Sequence, residues 1–177
     1  YYVIPFLIGI LCLPMIALSD VVQGISRANS WAISALSPTY LVRPVLISST
    51  MAHDTFLRDW VLRGEKDAVE VARYLTEVKR RYGAFSSFFV SDKSATYYTG
   101  EGVLKRVRPD EPRDAWYYRV KGMQEDYEIN VDPDLANADA LTIFINYRVF
   151  DFDGRFIGAT GIGLTVDAVS GLIAEYQ

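Results

Sequence analysis

The stretch "LTIFINYRVFDFDGRFIGATGIGLT", Leu141–Thr165, decides the fold. Its first ten residues alternate in a period of two, with Ile143, Ile145, Tyr147 and Val149 on one side and Phe144, Asn146, Arg148 and Phe150 on the other. "RFIGATGIGLT" reads as a second long strand, and "DFDG" between them carries an Asp-Gly pair, the strongest short-range hairpin signal. Two long strands joined this way predict an antiparallel ladder at the centre of the domain.

Working backwards, "DYEINV" predicts a third strand and "DPDLANADA" a polar loop leading into the hairpin. "AFSSFFVSD" and "ATYYTG", separated by a "KS" turn, predict another hairpin closed by Gly100 and Gly102. Between the two groups, "PRDAWYYRV" reads as a short helix bounded by Pro112 and Gly122. Upstream the period becomes helical. Ala68, Val71, Ala72, Leu75, Val78 and Tyr82 form one stripe, so a helix is expected over Asp67–Tyr82 with Gly83 as its stop. Glu77 and Arg81 stand at a favourable i,i+4 spacing on it. An earlier helix is expected from about Val45 to Arg63, ended by Gly64, with Pro38 and Pro44 as boundaries. Leu46, His53, Leu57 and Trp60 share a stripe on it, and His53 reads as a half-buried helix residue. "VDAVSGLIAEYQ" is expected to close the chain as a helix. The order predicts an α+β domain: one antiparallel sheet of about five strands, the long helix on one face and the Trp116 helix over the other.

The first residues set the location. Val3–Leu18 carries no charge and is mainly apolar, somewhat short of the ~20 residues that span a bilayer. A membrane helix over residues 1–20, a connecting helix over 21–44 and the α+β domain over 45–177 form the expected organisation. A signal-peptide core and a buried soluble helix are the rival readings of the same stretch. The net charge of −4 and the lack of a Lys/Arg run argue against nucleic acid. The lone Cys12 forms no intrachain disulfide and no metal cage. Asp132, Asp134, Asn137 and Asp139 could together offer hard oxygen ligands, but the Gly and Glu of a calcium loop are missing, and Asp- and Asn-rich turns are common for conformational reasons. No metal and no cofactor is expected. Glu125, Asp126 and Glu128 read as solvated charges, and no nucleophile–base pair or phosphate loop is present, so catalysis is not expected.

A long N-terminal helix, then "FFVSDKSATYYTGEG", "DEPRDAWYYRV" and "YRVFDFDGRFIGATGIGLTVDAV", resembles an extracytoplasmic Cache domain, a PAS-like sensory module of membrane-bound bacterial receptors. The spacing of "NVDPDLANADALTIFINYRVFDFDGRFIG" most resembles the sensor region of bacterial diguanylate cyclases. The resemblance implies a periplasmic domain held at the inner membrane, a small-molecule ligand, a homodimer formed through the N-terminal helices, and a cytoplasmic output working through cyclic di-GMP. A ligand-free dimerisation or interaction module is the alternative.

In amino-acid-binding members of that family, an Arg two residues before the Trp-Tyr pair clamps a carboxylate, while Tyr and Asp residues of the sheet hold the ammonium. This sequence keeps Trp116 and Tyr117 but carries Asp114 at the clamp position, with Arg113 one earlier, and Gly163 where an Asp would grip the amine. The expected ligand contacts are therefore Arg113, Trp116 and Tyr117 from the helix, with Tyr98, Asn130, Asp132 and Tyr147 from the sheet. Alternation puts Tyr147 and Arg148 on opposite faces, and Tyr147 is preferred because Arg148 is easier to solvate at a sheet edge. Arg113, Trp116 and Tyr117 are expected to share one helical face, with Tyr118 and Arg119 turned outward or along the rim.

Overall fold

The computed structural model describes residues 38–165. The expected membrane segment, the connecting helix before Pro38 and the closing helix after Thr165 lie outside the described residues. Among those described, no helix is long and apolar enough to cross a membrane.

Three helices come first: α1 (Pro38–Ala52), α2 (Thr55–Leu62) and α3 (Ala68–Tyr82). The expected single helix over 45–63 is thus two, and of the two prolines only Pro38 marks a boundary. Pro38 opens α1, where a missing N–H costs nothing, and Pro44 lies within the helix with its ring buried. The break falls at Asp54, whose carboxylate accepts from Phe56 N at 2.8 Å and so caps a new helix. His53, on the turn between the two, is exposed rather than half-buried, and Leu46 is likewise exposed, whereas Leu57 and Trp60 are buried. α3 begins at the Asp67 cap and ends at Gly83, whose φ of 65° is the left-handed stop that glycine adopts without penalty. On its surface Glu77 pairs with Arg80, not Arg81.

The strands are β1 (Ser86–Ser91), β2 (Thr96–Thr99), β3 (Gly102–Arg106), β4 (Tyr127–Asp134), β5 (Ala140–Phe150) and β6 (Phe156–Thr165). They form one antiparallel sheet in the order β3-β2-β1-β6-β5-β4. The sequence missed β3, an edge strand with exposed and half-buried positions and two basic residues. β4 runs on through Pro133 into the expected loop, which an edge strand tolerates because its outer side needs no ladder donor. The hairpin between β5 and β6 forms as expected. Asp151 accepts from the backbone N–H groups of Asp153 and Arg155 at 2.9 and 2.8 Å, and Gly154 turns the chain at φ 81°.

Alternation divides the interior into two cores. On one face Phe89, Tyr98, Ile145, Tyr147 and Ile162 pack against Met51, Leu57, Trp60, Val71 and Leu75 of the three helices. Trp60 stands edge-on to Phe89 and Tyr98, with centroids 6.3 and 5.2 Å away, and its indole N–H donates to Asp67 O at 2.9 Å. Glu65 closes this side, accepting from Ser91, Ser94 and Tyr98 hydroxyls at 2.6, 2.6 and 3.1 Å. On the other face Phe88, Val90, Tyr97, Phe144 and Ala159 pack with Tyr117 and Val120 of a short helix, α4 (Ala115–Gly122), entered through a 3-10 turn at Pro112–Asp114. α4 covers only part of its face. The uncovered remainder is where the cavity lies.

Candidate ligand pocket

A cavity of about 320 Å³ opens between α4 and the β1–β6–β5–β4 floor. Its aromatic side is built by Phe88, Tyr97, Trp116 and Phe144. Phe88 stands at the centre of this group, edge-on to Trp116 at 5.4 Å and to Phe144 at 6.0 Å, and tilted against Tyr97 at 5.8 Å. The Phe144 ring can lie across β6 because Gly163 has no side chain: a Cβ there would meet Ser86 Oγ at 2.4 Å and Thr142 Cγ2 at 2.6 Å. The position where an amine-gripping carboxylate was considered therefore has no room for one.

The polar side comes from β4 and β5. Glu128, Asn130 and Asp132 share a face of β4, opposite Asn146, Phe144 and Thr142 of β5. Asn146 Nδ2 donates to Asn130 Oδ1 at 2.7 Å, and Asn130 Nδ2 donates in turn to Asp132 Oδ2. Glu128, expected as a solvated charge, is half-buried instead and takes a two-point contact from Arg119, with Nε and Nη2 each 2.7 Å from its oxygens. Burial pushes the Asp132 carboxyl above the usual carboxylate range, and Glu128 adds to this, against the opposing pull of Arg119, Arg113 and the Asn130 bond. Arg113 stands exposed at the mouth, paired with Asp139 across the β4–β5 loop. Asp134, at the end of β4, serves the turn, accepting from Ala136 N and Asn137 Nδ2, both at 2.9 Å.

Of the seven expected contacts, Arg113, Trp116, Asn130 and Asp132 line this cavity. Tyr98 and Tyr147 do not. Both lie in the core beneath α1, α2 and α3, so the faces of β2 and β5 were assigned the wrong way round, and Tyr97, Phe144 and Asn146 take the positions on the cavity side. Arg148 shares that side of β5 but lies further along, over the Phe150 and Phe156 rings at 4.7 and 5.6 Å. Tyr117 is buried in the core under α4, with its hydroxyl donating to Asp92 at 2.9 Å; burial, and then Asp92, push that hydroxyl's pKa upward. The face of α4 toward the cavity runs through Ala115, Trp116 and Arg119, so Arg119, still exposed, lines the cavity at its rim. Asp114, at the clamp position, turns away altogether. Its side chain is 1% exposed, accepts from Arg108 N at 2.9 Å and pairs with Lys105 Nζ at 2.7 Å.

No family model matches the sequence. The fold, however, has clear counterparts among solved structures. The sensor domain of DcuS from E. coli superposes with a TM-score of 0.53 over 77% of this chain and 96% of its own, at 13% identity. The sensory domain of the Campylobacter jejuni chemoreceptor Tlp3, solved with isoleucine bound, gives 0.57 at 13% identity, over 93% of this chain and 65% of that one. The ligand-binding domain of the Pseudomonas aeruginosa amino-acid chemoreceptor PctC, in complex with GABA, gives 0.55 at 15% identity, over 86% and 67%. The chain has the α+β fold of bacterial sensory domains. It spans about two thirds of the length of the chemoreceptor domains and nearly all of the DcuS one.

Proposed function

We propose that this chain is the extracytoplasmic sensory domain of a membrane-anchored bacterial signalling protein, and that it binds a small ligand in the cavity between α4 and the sheet. One observation carries the reading: a pocket of about 320 Å³ that combines four aromatic rings with a connected polar wall, in a fold shared with domains solved in complex with small ligands. That volume lies at the small end of ligand sites and suits a molecule the size of an amino acid or a single ring. Arg113, Trp116, Asn130 and Asp132 are its proposed contacts, joined by Tyr97, Phe144, Asn146 and Arg119. A periplasmic domain anchored through Val3–Leu18, with a diguanylate cyclase as output, is the finer form, supported by the sequence resemblance. The mechanism is a population shift: the ligand biases two arrangements of sheet and helices by its differential affinity for them.

The test is a melting-temperature screen of the intact chain in a non-ionic detergent against carboxylates, amines, nucleotides and purines, followed by calorimetry on any hit. A ligand whose affinity falls in Trp116→Ala supports the pocket. Silence across the library rejects it. The anchor is checked separately, since partition of the intact chain into the aqueous phase without detergent would exclude it.

A second reading, dimerisation without a ligand, is favoured by α1. Val42 and Leu46, one turn apart, are 53% and 60% exposed, and Tyr82 borders the same groove. Sedimentation of Leu46→Asp against the unaltered chain tests it: an unchanged mass removes this helix from any dimer.

A further inference from the structure

The charges around the cavity are not balanced evenly. Arg113 and Arg119 each hold a carboxylate of their own, Asp139 and Glu128. Asp132 is the carboxylate that lines the cavity, and among the described residues it forms no ion pair; its partner is the neutral amide of Asn130. Arg119 and Arg113 attract it, but each is already paired, and a half-buried carboxylate with no cation of its own is costly unless something supplies one. Phe88, Tyr97, Trp116 and Phe144 stand across the same cavity, and the electron-rich face of an aromatic ring attracts positive charge. Asn146 Nδ2 donates to Asn130 Oδ1 and to Glu128 Oε1, and Asn130 turns one of its two amide N–H groups to Asp132, so Asp132 supplies the anionic oxygen of this wall.

We propose that the cavity takes an organic cation, an ammonium or guanidinium group held by Asp132 with its hydrocarbon against the aromatic wall. This rests on the pocket reading above and names its ligand class. The cation site lies on β4, and not on β6, where Gly163 leaves no space for an acid. Protonation of Asp132 opposes binding. The charged groups facing it are Arg119 and Arg113 from the α4 segment and Glu128 from its own strand. The arginines stay charged throughout the accessible pH range, so the raised Asp132 carboxyl is the titration the cation reads.

The experiment is calorimetry and intrinsic tryptophan melting on the intact chain, with matched probes: primary alkylammonium and quaternary ammonium ions, alkylguanidinium, and carboxylates of equal carbon number. The expected result is stabilisation by cations, with affinity falling by at least about tenfold in the near-isosteric Asp132→Asn. Cation affinity of the unaltered chain should also weaken as pH falls through the raised Asp132 titration, a readout that needs no variant. Binding of carboxylates alone, lost in Trp116→Ala, overturns the cation while leaving the pocket standing. Cations that bind Asp132→Asn as tightly as the unaltered chain, or without pH dependence, overturn it too. No binding by probes of either sign overturns the cation and the pocket reading together.

Discussion

Asp114 offers the sharpest mutational test of how the cavity is held open. Its carboxylate is sealed from solvent at the junction of the 3-10 turn and α4, where it accepts from Arg108 N and pairs with Lys105, itself only 27% exposed. Asp114→Ala removes a charge-assisted hydrogen bond, worth about 1.5–3 kcal/mol, and strands a partly buried ammonium that adds a comparable penalty, so a loss of about 3–5 kcal/mol is expected. Asp114→Asn can keep the bond from Arg108 N and forfeits mainly the ion pair, for about 1–3 kcal/mol. Urea unfolding followed by far-UV circular dichroism separates the two. With a slope of about 2 kcal/mol/M, the alanine variant's midpoint falls by about 2 M and the asparagine variant's by about 1 M, with the slope unchanged. The turn aims Trp116 at Phe88 and Tyr97, so the near-UV aromatic signal should weaken in the alanine variant before global unfolding. A cost below about 1 kcal/mol for Asp114→Ala, or equal costs for the two variants, would refute this account of the turn.

Asp132→Asn is expected to stabilise the unliganded protein at neutral pH while weakening ligand binding. The sign follows from its raised pKa: the folded state disfavours the charged form, so the penalty is absent below the ordinary carboxylate range and grows as pH rises through the raised value. Melting temperature across that window should fall with pH more steeply for the unaltered chain than for the variant. Tyr117→Phe removes the hydroxyl bond to Asp92 and should cost about 1 kcal/mol in stability with ligand affinity unchanged, because the ring is core and not wall. Gly163→Ala must displace Ser86 and Thr142 and should cost about 1–3 kcal/mol in denaturant unfolding; a neutral result would mean that β6 shifts to make room.

How much of this was legible in the sequence depended on whether the signal was local. The β5–β6 hairpin and α3 were readable because Asp151, Gly154, Asp67 and Gly83 set turn and caps within a few residues. β3 was not, since an edge strand needs no apolar alternation and Lys105 and Arg106 conceal what there is. The α1–α2 break was hidden because Asp54 is equally plausible as a surface residue until its carboxylate is seen on Phe56 N. The pocket shows the same division. Trp116 and Arg113, which line the cavity, were named through the resemblance of the Trp-Tyr segment, and Asn130 and Asp132 from their place on the sheet. Alternation sorts Tyr147 from Asn146, and Tyr98 from Tyr97, but does not say which face the three helices cover. Had the β4–β5 register been known, Asn130 opposite Phe144 would have settled it.

The glycines of β6 have a mechanical consequence. Gly161 and Gly163 face the aromatic floor, and the backbone N–H of Ile162 between them donates to Ser48 Oγ of α1 at 3.3 Å. At most other positions of the sheet a side chain stands between a cavity occupant and the main chain and can absorb a disturbance by changing rotamer. At Gly161 and Gly163 that side chain is missing. A molecule wedging under Phe144 leans on main chain held by ladders to β1 and β5, and α1 is fastened to its far side through Ser48.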